Sequence, residues 1–212
     1  MKSEHLYNYI LGIADNSLIL GQRLGELCGH GPSLETDIAG TNISLDLIGQ
    51  TRSYYQYAAK ISGENKTEDD IAFLRLERHY KNVLLVEQPN GDFGVTIVRQ
   101  FLFDAYRKLL FEKLVNSKDE TIAGIAEKSL KETKYHLRHS SEWVIRLGDG
   151  TEESNRRVQD ALNDLWRYTD ELFYSDEVDA ELTIQGIIPD LTSLKEDWLK
   201  IVDEVLTLAK IE

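Results

Sequence analysis

Four carboxylates stand alone inside otherwise apolar helical runs. Asp15 lies in Gly12-Ile13-Ala14-Asp15-Asn16-Ser17-Leu18-Ile19-Leu20 and Asp46 in Ile43-Ser44-Leu45-Asp46-Leu47-Ile48-Gly49. Asp104 lies in Phe101-Leu102-Phe103-Asp104-Ala105-Tyr106 and Glu132 in Leu130-Lys131-Glu132-Thr133-Lys134-Tyr135-His136. A carboxylate that faces a core is costly unless something pairs it, so four of them point to one shared polar centre. Four inward carboxylates on four helices are the skeleton of a di-iron bundle site, which also takes a histidine three residues after two of the acids. Here those two positions are Gly49 and Tyr135. The oxygen ligands are present and the nitrogen ligands are missing.

Polar neighbours extend the line at helical spacing. Asn8 and Gln22 flank Asp15, Asn42 and Gln50 flank Asp46, Gln100 precedes Asp104, and His136 and His139 follow Glu132. His136 comes four residues after Glu132 rather than three, so it can sit near the centre without being the expected ligand. An all-oxygen site suits magnesium or manganese better than iron. Amides and carboxylates can also satisfy one another with no metal, with Arg107 or Lys108 supplying the counter-charge. The cost of burying unpaired charge favours this metal-free polar core.

Helices must position these residues, and the punctuation of the chain says where they run. The three prolines, Pro32, Pro89 and Pro189, each sit at a break, where the missing amide does no harm. Helical spacing predicts segments over roughly 3–28 and 33–62, the second capped by Ser33. A third, capped by Thr67, is predicted to end near Val86, before the turn Glu87-Gln88-Pro89-Asn90-Gly91-Asp92. Long helices then run to about Asn116, from Asp119 to Leu147, and from Thr151 to about Tyr174. A loop through Gly186 leads to a last helix striped by Leu191, Leu194, Trp198, Ile201 and Val205. Nothing alternates with period two for long, so the chain is predicted to be all-α.

Asp15 and Asp46 are equally distant from the turn Gly29-His30-Gly31-Pro32, and Asp104 and Glu132 from Ser117-Lys118-Asp119. Each pair is therefore expected to lie level within its own αα-hairpin. The two hairpins are joined by a long helical crossover, which makes a ferritin-like four-helix bundle with additional C-terminal helices. Residues 1–212 are expected to form a single domain of this kind.

Composition narrows the function. There are 37 Asp and Glu against 24 Lys and Arg, a net charge of −13, which argues against nucleic acid and anionic membrane as partners. No apolar stretch reaches the ~18 residues of a membrane span. Glu4, His5 and Asp15 near the start do not read as a signal peptide. Cys28 is alone, which fits a reducing, cytoplasmic compartment, and it has no CxxC partner or activating base. No phosphate-binding GxxxxGK loop or Ser-His-Asp arrangement occurs. His30 and His79 read as surface residues, and Trp143, Trp166 and Trp198 as core or interface anchors.

Longer motifs carry a resemblance. They are Gly21-Gln22-Arg23-Leu24-Gly25-Glu26, Cys28-Gly29-His30-Gly31-Pro32 and Asn42-Ile43-Ser44-Leu45-Asp46-Leu47-Ile48-Gly49-Gln50. Leu84-Leu85-Val86-Glu87-Gln88-Pro89-Asn90-Gly91-Asp92-Phe93 and Lys131-Glu132-Thr133-Lys134-Tyr135-His136-Leu137-Arg138 complete the set. Together, from residue 7 to about residue 200, they resemble the family of C subunits of phenylacetyl-CoA 1,2-epoxidase, the ring 1,2-phenylacetyl-CoA monooxygenase of phenylacetate catabolism.

The resemblance implies a subunit of a multicomponent oxygenase that epoxidises the aromatic ring of phenylacetyl-CoA with O₂ and electrons from NADPH. The di-iron site belongs to a homologous catalytic subunit, a reductase carries FAD and iron–sulfur, and accessory subunits complete the system. The C subunit shares the catalytic subunit's fold, has lost its metal ligands, and serves as a structural scaffold. Catalytic, cofactor-binding and metal-ligating residues are accordingly expected to be absent from this chain. Asp15, Asp46, Asp104, Glu132 and His136 are then a vestigial di-iron-type polar cluster, with Gly49 and Tyr135 at the lost histidine positions. Family members usually continue past the position matching Glu212 in a His-rich, Gly-containing tail. An isolated subunit is expected to self-associate into a homo-oligomer. Two other functions stay open on the residues alone: a stand-alone helical acyl-CoA-binding protein, and an independent metalloenzyme with an atypical carboxylate site.

Overall fold

Caps and apolar stripes place the helices. The computed structural model describes residues 2–212, excluding the side chains of Lys2 and Ser3. In chain order the helices are α1 (Lys2–Gly25), α2 (Leu34–Ser62), α3 (Glu68–Phe73), α4 (Leu84–Glu87) and α5 (Phe93–Leu114). Then come α6 (Glu120–Gly148), α7 (Glu152–Trp166), α8 (Glu177–Ile184) and α9 (Lys195–Ala209). No strand occurs among the described residues. Ser33 caps α2 in a reciprocal box with Thr36, and Thr151 and Ser154 do the same for α7.

The fold is an all-α, ferritin-like bundle of two antiparallel hairpins, α1–α2 and α5–α6, closed by contact between α2 and α6. Close approach sets the first hairpin. Ser44 Oγ donates to the Gly21 carbonyl at 2.7 Å, and a Cβ on Gly21 would lie 3.2 Å from Leu47 Cβ. Nearly every residue of α5 from Gly94 to Leu114 is buried, because helices cover it on several sides. Trp198 of α9 anchors there by donating its indole N–H to the Leu102 carbonyl at 2.9 Å. At the far end Gly148 lets α9 in: a Cβ there would lie 2.3 Å from the Ala209 carbonyl oxygen. Buried apolar residues from Ile10 to Ile211 form one continuous cluster.

Three stretches depart from the predicted elements. The helix expected from Thr67 to about Val86 is broken into α3, a single 3₁₀ turn at Glu77–His79, and the one-turn α4. The reason lies on α1. Asp15 Oδ2 accepts the Lys81 backbone N–H at 2.7 Å and Asn16 Oδ1 accepts that of Val83 at 2.8 Å. Amides spent on side chains cannot join a helical ladder, and Tyr80 and Val83 are extended. The helix expected to reach Tyr174 ends at Trp166 and is followed by a 3₁₀ turn at Asp170–Phe173. The loop expected before Gly186 contains α8, which starts from a capping box between Asp176 and Asp179.

Candidate functional site

Gln100, Asp104 and Arg107 are spaced four and three residues apart, so they share one buried face of α5. The Asp104 carboxylate has no solvent exposure; it accepts from Gln100 Nε2 at 2.8 Å and from Ser140 Oγ at 3.1 Å. Burial nevertheless dominates and pushes its pKa up to about 7, against the pull of Arg107 and both hydrogen bonds.

Arg107 is 2% exposed. It donates through Nη2 to Gln50 Oε1, and Gln50 Nε2 donates to Glu132 Oε2 at 2.7 Å. One hydrogen-bonded chain thus links α5, α2 and α6. The guanidinium lies 5.7 Å from the centroid of Phe103 and 5.2 Å from that of Phe111, the aromatic residues one turn to either side. Burial lowers its pKa, while the charges of Asp104, Glu132 and Asp46, with the phenol of Tyr54, act to raise it.

His136 completes the group from α6. Its ring is buried, and Nε2 lies 3.0 Å from Asp46 Oδ2. Burial first and Arg107 second hold the imidazole well below its usual value, at about 4, and the Asp46 contact opposes them. The ring is therefore neutral near pH 7, with Nε2–H donating to Asp46. Among the described residues Nδ1 then has no partner, nor have Gln100 Oε1, Arg107 Nη1, Tyr54 Oη and Thr133 Oγ1 in the same region.

The expected single centre of four acids is corrected here to three and one. Asp46, Asp104 and Glu132 act electrostatically on Arg107 without an ion pair to it, whereas Asp15 is occupied elsewhere. Arg75 grips Asp15 through Nη1–Oδ2 at 3.0 Å and Nη2–Oδ1 at 2.5 Å. Tyr55 donates to Oδ1 at 2.5 Å and the Lys81 amide to Oδ2. Four donors saturate this fully buried carboxylate. Within the second hairpin Asp104 accepts from Ser140, eight residues beyond Glu132.

Gly49 and Tyr135 stand off the buried polar line. A Cβ on Gly49 would meet no atom within 4 Å, and Tyr135 is 45% exposed, stacked on His139 with ring centroids 6.4 Å apart. The inward positions of α6 belong instead to Ser129, Thr133, His136 and Ser140. Among the described residues, no three His, Cys, Asp or Glu side chains are arranged to hold a metal ion.

Of the two proposed counter-charges, Arg107 serves and Lys108 does not; Lys108 pairs with Glu112 at 3.3 Å. Arg75 and Tyr55 were not anticipated from the sequence. The one available signal was Arg75 between Leu74 and Leu76, a cation in an apolar setting.

The geometry can be set beside known proteins. The phenylacetic acid catabolic protein family matches this chain across residues 1–212. The chain belongs to that family. It is also 50% identical over 190 residues to the C subunit of 1,2-phenylacetyl-CoA epoxidase from Escherichia coli (strain K12), a match covering 90% of this chain and 76% of that protein.

In this family member, the remaining sequence landmarks have structural partners. Arg99, buried and with its pKa lowered by burial to about 10, donates to the Gln88 carbonyl and to Asn90 Oδ1. Arg23 holds the Glu87 carbonyl from the other side, so the Glu87–Asp92 turn is pinned by two arginines. Trp166 and Phe173 pack on Trp198, and Trp143 packs edge-on against Phe93. Cys28 and His30 are exposed. No helix among the described residues is long and apolar enough to cross a membrane.

Proposed function

We propose that this chain is the structural, non-catalytic subunit of a cytoplasmic di-iron oxygenase that epoxidises the ring of phenylacetyl-CoA. In this reading residues 1–212 form one domain that scaffolds a homologous catalytic subunit. That partner holds the irons, and a reductase with FAD and iron–sulfur brings electrons from NADPH with accessory subunits. Family membership and the likeness to an epoxidase C subunit support the setting.

Arg107 is the observation that carries the non-catalytic role. Its guanidinium is a cation fixed to the chain among Asp46, Asp104 and Glu132, where it supplies the positive charge a metal would otherwise bring. A second cation placed there would be repelled, and Asp15 is already saturated by Arg75. This donor set does not fit a di-iron pair. The cluster is best read as a degenerate di-iron site whose acids are neutralised internally.

An apolar stripe supports the scaffold role. Leu34, Ile38, Leu45 and Ile48 fall on one outer face of α2 and are 71%, 53%, 64% and 38% exposed. Such a stripe seeks cover from a partner subunit, or from a second copy when the chain is isolated. The test is metal content of the purified chain, alone and co-expressed with the homologue that carries intact Glu-x-x-His helices. The expected result is no iron on the isolated chain and a stable complex with iron on the partner. Stoichiometric iron on the isolated chain would overturn the proposal.

A further inference from the structure

The turn between α4 and α5 contains the dipeptide Asn90-Gly91, in which a side-chain amide precedes an unhindered peptide nitrogen. Gly91 has no Cβ to crowd that nitrogen, is exposed, and sits at φ +57°. Among the described residues its N–H has no hydrogen-bond partner. The nucleophile is free.

The electrophile is clamped. Asn90 Oδ1 accepts from Arg99 Nη2 at 2.7 Å, and Nδ2 donates to the Arg23 carbonyl at 2.8 Å and to Glu26 Oε2 at 3.3 Å. Thr96 Oγ1 donates to the Asn90 carbonyl at 2.9 Å, which fixes the peptide plane that must turn to bring the nitrogen onto Cγ. Arg99 cannot swing away without cost, since it is fully buried and also donates to the Gln88 carbonyl. Attack on the side chain therefore requires the turn to open.

We propose that Asn90 is a deamidation site, held closed in the folded chain by Arg99, Thr96 and the end of α1. The Gly91 nitrogen gives its proton to hydroxide and forms a bond to Asn90 Cγ. The Cγ–Nδ2 bond breaks, and the amide nitrogen takes a proton from water and leaves as ammonia. Water then opens the cyclic imide to aspartate or isoaspartate, so no oxidant or cofactor takes part. The product sets a carboxylate beside a buried cation whose present acceptors are both neutral, and it loses the donor that ties the turn to α1.

Peptide mapping by mass spectrometry of the full chain, aged in mildly alkaline buffer, reads the amide-to-acid conversion at Asn90. In guanidinium chloride the unfolded chain should convert readily, and Gly91→Ala should slow it there by crowding the nitrogen. The folded wild type should convert more slowly than the unfolded chain by roughly tenfold or more. Arg99→Leu should raise the folded rate about tenfold and Thr96→Val about fivefold, as expected for losing a charged and a neutral hydrogen bond that oppose local opening. Far-UV circular dichroism checks that each variant is folded. Absence of conversion at Asn90 in denaturant would overturn the site, and a folded wild type that reacts as fast as the unfolded chain would overturn the clamp. Should Arg99→Leu fail to fold, Thr96→Val decides, and an unchanged rate in it rejects the proposal.

Discussion

A buried charge must be answered locally, and at residue scale the answer in this protein is Arg107. Removing Arg107 leaves the buried Gln50 acceptor unmet and Asp104 without its neighbouring cation, at a cost of about 1–3 kcal/mol. Arg107→Met should therefore lower unfolding stability by about that much in urea titrations. Adding Asp104→Leu should recover part of the loss, making the two changes less than additive; strict additivity would mean that the groups do not interact. Asp104 and His136 also give opposite pH dependences. The folded pKa of Asp104, about 7, lies above its unfolded value of about 3.9. Its contribution is thus present below pH ~4 and lost as pH rises through 7. The folded pKa of His136 is depressed to about 4, so its contribution is present above pH ~6.5 and lost as pH falls through 4. Between those limits the two offset each other. Asp104→Asn should expose the histidine's dependence, adding a loss on the order of 3 kcal/mol between pH 6.5 and 4. Urea midpoints across that range check it, and an unchanged slope would contradict the description of Asp104.

The elements differ in what holds them. α1, α2, α5 and α6 rest on long apolar stripes, whereas the crossover from Arg75 to Val83 rests largely on α1 side chains. Asp15 alone takes the Arg75 guanidinium and the Lys81 amide. Asp15→Ala should destabilise the protein by about 3 kcal/mol, as expected for a broken buried pair. It should also speed tryptic cleavage at Arg75, Arg78 or Lys81 many-fold while far-UV circular dichroism keeps the long helices. Cleavage at the wild-type rate would show that the crossover has another anchor.

At the scale of the whole molecule the α2 stripe is one exposed apolar group, with Phe73, Leu74 and Leu76 another. Leu45 is 64% exposed and contributes little to the core, so Leu45→Glu should change stability by no more than about 0.5 kcal/mol. The same change should abolish self-association in light scattering and weaken capture of a co-expressed catalytic homologue. Undiminished association would move the docking surface off α2. The acidic net charge of −13 favours solubility of the molecule as a whole.

Helix content, the two hairpins and their turns were legible in the sequence, because caps, prolines and apolar spacing act over a few residues. Ser33, Thr67, Asp119 and Thr151 each begin the helix they were expected to begin. The acids at Asp15, Asp46, Asp104 and Glu132 were equally visible, and so was the availability of Arg107. Their partners were not. Helical spacing says which face a residue occupies, but it carries no information about which distant cation reaches that face. Arg75 comes to Asp15 from sixty residues away, by unwinding the helix that local propensity favoured. Asp104 takes its hydrogen bond from Ser140, eight residues beyond Glu132, a partner that spacing from the turn does not name. The sequence by itself determined an all-α bundle with a charged interior. Only the tertiary structure decided that three acids share an arginine and the fourth anchors the crossover, because burial makes every charge take the partner that packing brings within reach.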